Sequence, residues 1–371
     1  MKILLIRFSA LGDVAMMAPV LRDYALKHPD YDLTVLSKPF HAPLFDDIAP
    51  NVHFLGRDPK RDYNGIRGLY RLFRELHQMH FDMVIDMHDV LRTKILRKFF
   101  RVHGYPVRHI DKHRSLRRKI TAREGKKQLQ RLPTSFENYS EVLCNSSDEF
   151  RVMSERIKSP LVEGENSKLK THNSKLSIGI APFAAHQGKI YPVERMEKVI
   201  EMLIEKRPEC RIILFGGGGK EREQMTAWAG KYSNVELAST LSEELRVKSE
   251  KSPADKKQSN SNSNSSLFTI HSSLYYELQL MKDLDVMLSM DSANMHLASL
   301  VGTRVVSIWG ATHPWAGFLG WGQSEDDCVQ RHDLKCRPCS IYGNKPCLRG
   351  DMECMNISEE EIVEKIVKSE K

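Results

Sequence analysis

Short apolar runs alternate with amphipathic ones through the first half of the chain. Residues 2–7, DLTVLS (32–37), NVHFL (51–55) and FDMVIDM (81–87) read as strands, and residues 13–27 and 65–79 read as helices. Pro19 falls in the early turns of the first helix, where its ring removes one backbone donor. The pattern resumes at SIGIA (177–181), a strand. VERMEKVIEMLIEK (193–206) has helical spacing, RIILFGGGG (211–219) is a strand running into four glycines, and a helix follows over 221–231. DVMLSM (285–290), SANMHLASL (292–300) and RVVSIWG (304–310) then give strand, helix and strand. Such alternation predicts βα units and parallel sheets.

Two stretches break the pattern. Residues 155–176 lose periodicity and turn polar, as an interdomain linker does. Residues 243–273 are rich in Ser, Asn and Lys, which predicts a disordered surface insertion. The organisation expected is an N-terminal Rossmann-like domain over 1–154, a linker, a second such domain over 177–355, and a C-terminal helix within 356–371. Two such domains would face each other across an interdomain cleft. In open α/β sheets ligands bind beyond the carboxyl ends of the strands. That rule singles out residues 8–13, 182–189, 216–219, 291–296 and 310–314.

A length of 371 residues suits two or three domains, and a hydrophobic content of 41% supports ordinary globular cores. No apolar stretch reaches the roughly 18 residues needed to span a bilayer. MKILLI is too short for a secretory leader and runs into charge without a cleavage pattern, so a cytoplasmic protein is expected. The net charge is +8, and residues 92–131 hold fifteen Lys or Arg against only Asp111 and Glu124. This block suits a phosphorylated ligand, anionic lipid or nucleic acid, and its plainest reading is a solvated surface. It has few interleaved aromatics and no helix-turn-helix or zinc-finger pattern, which argues against nucleic acid.

Cys144, Cys210 and Cys328 are isolated. Cys336, Cys339, Cys347 and Cys354 form C-x2-C-x7-C-x6-C, compatible with structural zinc, reduced thiols or a disulfide.

The stretch RFSALGDVAMMAPVL (7–21) places Asp13 where a strand hands over to a helix. A carboxylate there caps the helix or serves as a base at the mouth of the fold. In SMDSANMHLASLVGT (289–303), Asp291 ends a strand while Ser292 and Ala293 open the next helix. The free N–H groups of that turn suit a diphosphate, and His296 lies on the first turn. The plainer alternative makes Asp291 and Ser292 caps and His296 a packing residue. Gly310, Thr312 and Pro314 of WGATHPW suit a tight, ligand-facing loop, but taken alone the segment reads first as a plain βα turn. Gly216–Gly219 lack the Lys-Ser/Thr ending of a P-loop and the spacing of a dinucleotide fingerprint, so they read as a turn that lets a nucleotide pack near the backbone. Lys189, in APFAAHQGKIYP, suits neutralisation of a leaving pyrophosphate or is an ordinary surface lysine.

Together these residues resemble a known pattern. RFSALGD (7–13), followed by an apolar helix containing Pro19, resembles the N-terminal signature of glycosyltransferase family 9, the ADP-heptose:lipopolysaccharide heptosyltransferases. DSANMHLASLVGT and WGATHP resemble that family's C-terminal signature. The resemblance implies a GT-B fold and inverting transfer of heptose from an ADP-sugar to a lipopolysaccharide inner-core acceptor, with no metal and no cofactor. It makes Asp13 the general base and Lys189 the donor-site lysine. Asp291, Ser292, Ala293, His296 and Thr312 then contact the donor, and Glu236 of NVELAST the ribose. Ser9, Ala10 and Gly12 keep the first turn small enough for an acceptor sugar. Ala293 stands where the family has glycine, and Ala311 and His313 where it has proline and aspartate. On this reading the basic residues 92–131 dock the protein on a lipid A–core acceptor at the anionic inner-membrane face. The competing expectations are another nucleotide-sugar or acceptor, and a non-catalytic nucleotide- or glycan-binding protein, which would need no base.

Overall fold

The computed structural model describes residues 1–144, 175–251 and 273–368. They form two compact units. The first contains residues 1–114 and 133–144, and the second contains 115–132, 175–251 and 275–368. Residues 115–132 thus group with the C-terminal half, whereas the linear reading kept them with residues 1–154. The expected linker lies almost wholly outside the described residues.

In the first unit β1 (Lys2–Ile6) leads into α1 (Leu11–Ala15) and α2 (Met17–Lys27). The single helix expected over 13–27 is two helices meeting at Met16. Pro19 explains the break: it is the third residue of α2 and has no N–H to continue the ladder back to Ala15. Next come β2 (Asp32–Ser37), β3 (Val52–Gly56), α3 (Gly65–His77), β4 (Met83–Asp86), α4 (Leu91–Val102) and β5 (Val107–His109). Helix α5 (Arg114–Ile120) follows, and α6 (Ser135–Leu143) returns to the first unit. The sheet is parallel with order β3-β2-β1-β4-β5. Its strands are continuous apolar runs because helices cover both faces. On α3, Leu69, Leu72, Phe73 and Leu76 recur at helical spacing and are buried. Leu72, Phe73 and Leu76 pack with Leu4, Ile6, Val84, Leu96 and Phe100.

The second unit runs β6 (Ser177–Ala181), α7 (Val193–Lys206), β7 (Arg211–Leu214), α8 (Lys220–Lys231), β8 (Val235–Leu237), α9 (Ala238–Lys251), α10 (Ser273–Lys282), β9 (Val286–Met290), α11 (Ala293–Leu300), β10 (Arg304–Trp309), β11 (Cys328–Gln330) and α12 (Glu359–Val367). Its sheet is also parallel, with order β11-β10-β9-β6-β7-β8. Disorder was expected from residue 243, but α9 continues to Lys251. The Ser249 hydroxyl bonds the Tyr276 hydroxyl at 2.7 Å, tying the end of α9 to α10. The rest of that insertion lies outside the described residues.

Each sheet has one point where the strand order reverses: β1/β4 in the first and β6/β9 in the second. At such a point neighbouring connections leave in opposite directions and open a crevice for ligand.

Candidate active site

The first crevice opens beyond β1 and β4. Arg7 follows β1 and is buried. Its guanidinium donates to the Met87 carbonyl, lies 5.5 Å from the Tyr139 ring centre, and meets Asp13 Oδ2 at 2.7 Å. The same carboxylate oxygen accepts the Ala10 N–H at 3.3 Å, and the Tyr139 hydroxyl donates to the Asp13 carbonyl at 3.0 Å. Asp13 therefore helps cap α1 and is aimed by an ion pair as well. Its side chain remains 26% exposed, which leaves it open to a ligand.

Ser9, Ala10 and Gly12 form the turn between Arg7 and Asp13, and the Ser9–Ala10 peptide is cis. The Phe8 N–H donates to His88 Nδ1 at 3.4 Å, so the His88 proton sits on Nε2 and points to Ser9 Oγ at 3.3 Å. Burial, then the Arg7 and Lys112 charges, push the His88 pKa down to about 3, and the ring is neutral.

Beyond β4, Asp86 Oδ1 accepts the N–H groups of His88 and Asp89, both at 2.9 Å. Asp89 then gathers cations: Arg114 at 2.6 Å, Arg97 at 3.4 Å and Lys94 at 3.6 Å. Burial raises the Asp89 pKa, but the Arg114 bond and charge outweigh it and the net shift is downward. Half-buried Lys112 faces Arg7, Asp13, Asp89 and Arg114. Burial above all lowers its pKa to about 8. The sequence reading found Asp13 and its small turn but missed Arg7, His88 and Lys112. The available signal was the charge ending the first apolar run and the DMHD at the end of another, but only strand order places the two side by side.

The second crevice opens beyond β6 and β9. Here Lys189 Nζ meets Asp291 Oδ2 at 2.8 Å, with both side chains largely buried. The frame around them is backbone. The Gly188 N–H donates to the Gly343 carbonyl at 3.2 Å, and the Ala311 N–H donates to the Gly188 carbonyl at 2.9 Å. Gly343 has φ +71°, and a Cβ there would lie 2.6 Å from Lys189 Cγ. Only glycine lets this loop press on the lysine stem.

Ser292 is extended (φ −139°, ψ 179°) and precedes α11 without capping it, because its hydroxyl pairs with Ser289 Oγ at 3.2 Å. The capping alternative for Ser292 is therefore not what the side chain does. The N–H groups that open α11, beginning at Ala293, are left for another acceptor. His296 is buried on the first turn. The Thr312 hydroxyl is fully buried with no hydrogen-bond partner among the described residues.

Arg337 holds this loop from below. Its guanidinium donates to the carbonyls of Gly310 at 2.6 Å, Trp309 at 2.9 Å and Thr312 at 3.0 Å. Burial lowers its pKa to about 10, so it stays charged at neutral pH. The N–H groups of Cys339 and Ser340 both donate to the Ala311 carbonyl. All seven cysteines are free thiols, and among the described residues no three His, Cys, Asp or Glu side chains are placed to hold a metal. His313 Nδ1 accepts the Trp315 N–H at 3.1 Å, and burial followed by Arg337 pushes its pKa down to about 4. His313 is thus a neutral ring that caps the next turn.

Two expected residues stand apart from this cluster. Glu236 lies on the outermost strand, β8, ion-paired with Arg211. It is three strands from β9, or about 14 Å at the usual interstrand spacing. The glycine run is closed by the chain itself, because the Gly217 N–H donates to Glu221 Oε2 at 2.9 Å. A Cβ on Gly216 would lie 2.7 Å from Met225 Cε, so packing of α8 explains that glycine without a nucleotide.

The family model for glycosyltransferase family 9 (heptosyltransferase) matches residues 69–244 and 272–345. The chain belongs to this family. The match covers Lys189, Glu236 and the whole Asp291–Thr312 cluster, and it begins after the Asp13 turn. The protein is similar to lipopolysaccharide heptosyltransferase 1 of Campylobacter coli, with 24% identity over 331 residues, 84% of either chain. Among solved structures it resembles E. coli ADP-heptose LPS heptosyltransferase II (TM-score 0.62, 14% identity, 100% of this chain and 98% of that one). It also resembles the E. coli heptosyltransferase WaaC with ADP (TM-score 0.60, 14% identity, 100% of both chains). This family 9 glycosyltransferase has the GT-B fold that the resemblance implied.

Proposed function

We propose that the protein transfers a heptose from ADP-heptose to a lipopolysaccharide inner-core acceptor, with inversion and without a metal ion. The observation that carries this reading is the Lys189–Asp291 pair at the β6/β9 reversal, beside an α11 whose opening N–H groups have no side-chain cap. A departing diphosphate needs positive charge as its bond breaks. Lys189 supplies a full charge and the start of α11 a partial one. The protein's own groups would then do the work a divalent ion does elsewhere. His296 and the unsatisfied Thr312 hydroxyl contact the donor.

The acceptor hydroxyl attacks the anomeric carbon from the face opposite the diphosphate. The C–O bond to phosphate breaks, ADP leaves with the electron pair, and Asp13 takes the hydroxyl proton. Arg7 aims the carboxylate for this, while Ser9, Ala10 and Gly12 leave room for the acceptor sugar. Lys112 adds a cation beside Asp13 that favours an acidic acceptor. Because such an acceptor is anchored in a bilayer, the enzyme works peripherally on the cytoplasmic face of the inner membrane. Among the described residues no helix is long and apolar enough to cross it.

Donor screening tests the reading. ADP should be released from ADP-heptose only when a heptose-deficient core oligosaccharide is present, and chelator should not slow it. Turnover of a different nucleotide-sugar instead would overturn the donor assignment. That outcome would trace to Ala293, Ala311 and His313, where this chain departs from the family pattern.

A further inference from the structure

The basic block at 92–131 is not one surface. Arg97 is buried against Asp86 and Asp89, Arg114 is tied to Asp89, Lys127 donates to the Cys336 and Pro338 carbonyls, and Arg131 pairs with Glu325. Its residues also divide between the two units. Of its exposed cations with no ion pair among the described residues, Lys98 and Arg101 belong to α4 and share the first unit with Arg67 and Arg74 of α3.

Four of the ten large apolar side chains exposed among the described residues sit on these two helices: Leu91 (75%), Val102 (74%), Ile66 (66%) and Tyr70 (45%). On α4, Leu91, Ile95, Lys98 and Val102 recur at i, i+4, i+7 and i+11, so one outward stripe carries them. On α3, Ile66 and Tyr70 are one turn apart, and Tyr70 meets Phe99 of α4 edge-on at 5.4 Å. The two apolar rows therefore join. Arg67, Arg74, Lys98 and Arg101 are exposed around them, and no ion pair engages them among the described residues. Helix α4 contains no acid. The one acid of α3, Glu75, is taken by the Tyr63 hydroxyl at 2.7 Å and by Arg57 at 3.4 Å.

We propose that the outward face of α3 and α4 docks on an anionic lipid bilayer. Uncompensated cations surrounding protruding apolar tips suit headgroup phosphates above and acyl chains below. A second copy of the chain would bring the same cations and repel. Nucleic acid would leave Leu91, Val102 and Ile66 unused. The proposal deepens the membrane-side reading given above, but its test does not depend on the transfer reaction.

The test is co-sedimentation of the full chain with vesicles of phosphatidylcholine alone or doped with phosphatidylglycerol. Wild type should bind the anionic vesicles, and added salt should release it. Lys98→Glu with Arg101→Glu should lower partitioning at least about tenfold. Ile66→Ser with Val102→Ser should lower it severalfold. Both variants should keep wild-type transfer to a soluble core oligosaccharide, which also shows that they fold. Wild type that stays in the supernatant overturns the proposal, and so do variants that bind as wild type does. Loss of RNA binding or of a dimer, with vesicle binding unchanged, overturns it in favour of that partner. Wild type that binds vesicles but transfers nothing overturns the proposed reaction and leaves this surface standing.

Discussion

The two crevices occupy equivalent places in two parallel sheets, yet they are built differently. At β1/β4 the construction is a network of charged side chains: Arg7 on Asp13, three cations on Asp89, and Lys112 facing both acids. At β6/β9 one buried ion pair sits in a frame of backbone bonds among Gly188, Ala311 and Gly343, anchored by Arg337. A charge network responds to pH and suits a proton acceptor. A backbone frame holds position and suits a group that must meet a diphosphate in one place. The first crevice should therefore respond to charge throughout, and the second to the charge of Lys189 and to the shape of the loop that holds it.

The sharpest break in this comparison is Asp13→Asn. It keeps the shape of the turn and removes the base, so kcat should fall about 10³-fold. Binding of ADP-heptose, followed by calorimetry, should stay near wild type because the donor crevice is untouched. Lys189→Met should cost about 10²-fold in kcat and also weaken ADP, showing charge loss at leaving group and ground state together. Gly343→Ala changes no charge. Its φ of +71° and its closeness to Lys189 predict an approximately tenfold loss of kcat/KM and about 1 kcal/mol of stability by urea unfolding. An equal change in Asp13-dependent steps would mean that the two crevices respond alike.

The smallest effect is in pH. Lys112 is charged below its pKa of about 8 and neutral above it, because burial disfavours the ammonium. Raising pH through 8 removes a cation beside Asp13, so KM for an acidic acceptor should rise severalfold while donor KM stays level. Lys112→Arg, which keeps its charge, should flatten that rise. A profile unchanged by the substitution would take Lys112 out of acceptor recognition.

Much of this was local enough to read along the chain. Both-face-buried strands are unbroken apolar runs, so β1, β2, β6 and β9 were found to within a residue or so. Asp13, Lys189 and Asp291 stand at strand ends, where the sheet rule looks. What escaped was set through space. The β1/β4 adjacency that brings His88 to Ser9 has no signature in either segment. Gly343 lies more than 150 residues from the lysine it supports, and Arg337 is a single charge inside a cysteine-rich loop with no local pattern to mark it. Composition misled at α9, where helix formers and the Ser249–Tyr276 bond outweighed a polar, Ser/Lys-rich sequence. The glycine run misled for the opposite reason, since its turn is real but Glu221 fills it.

The most direct test follows ADP release by wild type, Asp13→Asn and Lys189→Met, each given ADP-heptose with and without a heptose-deficient core oligosaccharide. Wild type should release ADP only with the acceptor, and Asp13→Asn should bind the donor normally yet release almost none. Acceptor-dependent release by Asp13→Asn at the wild-type rate would contradict the assignment of Asp13 as the base.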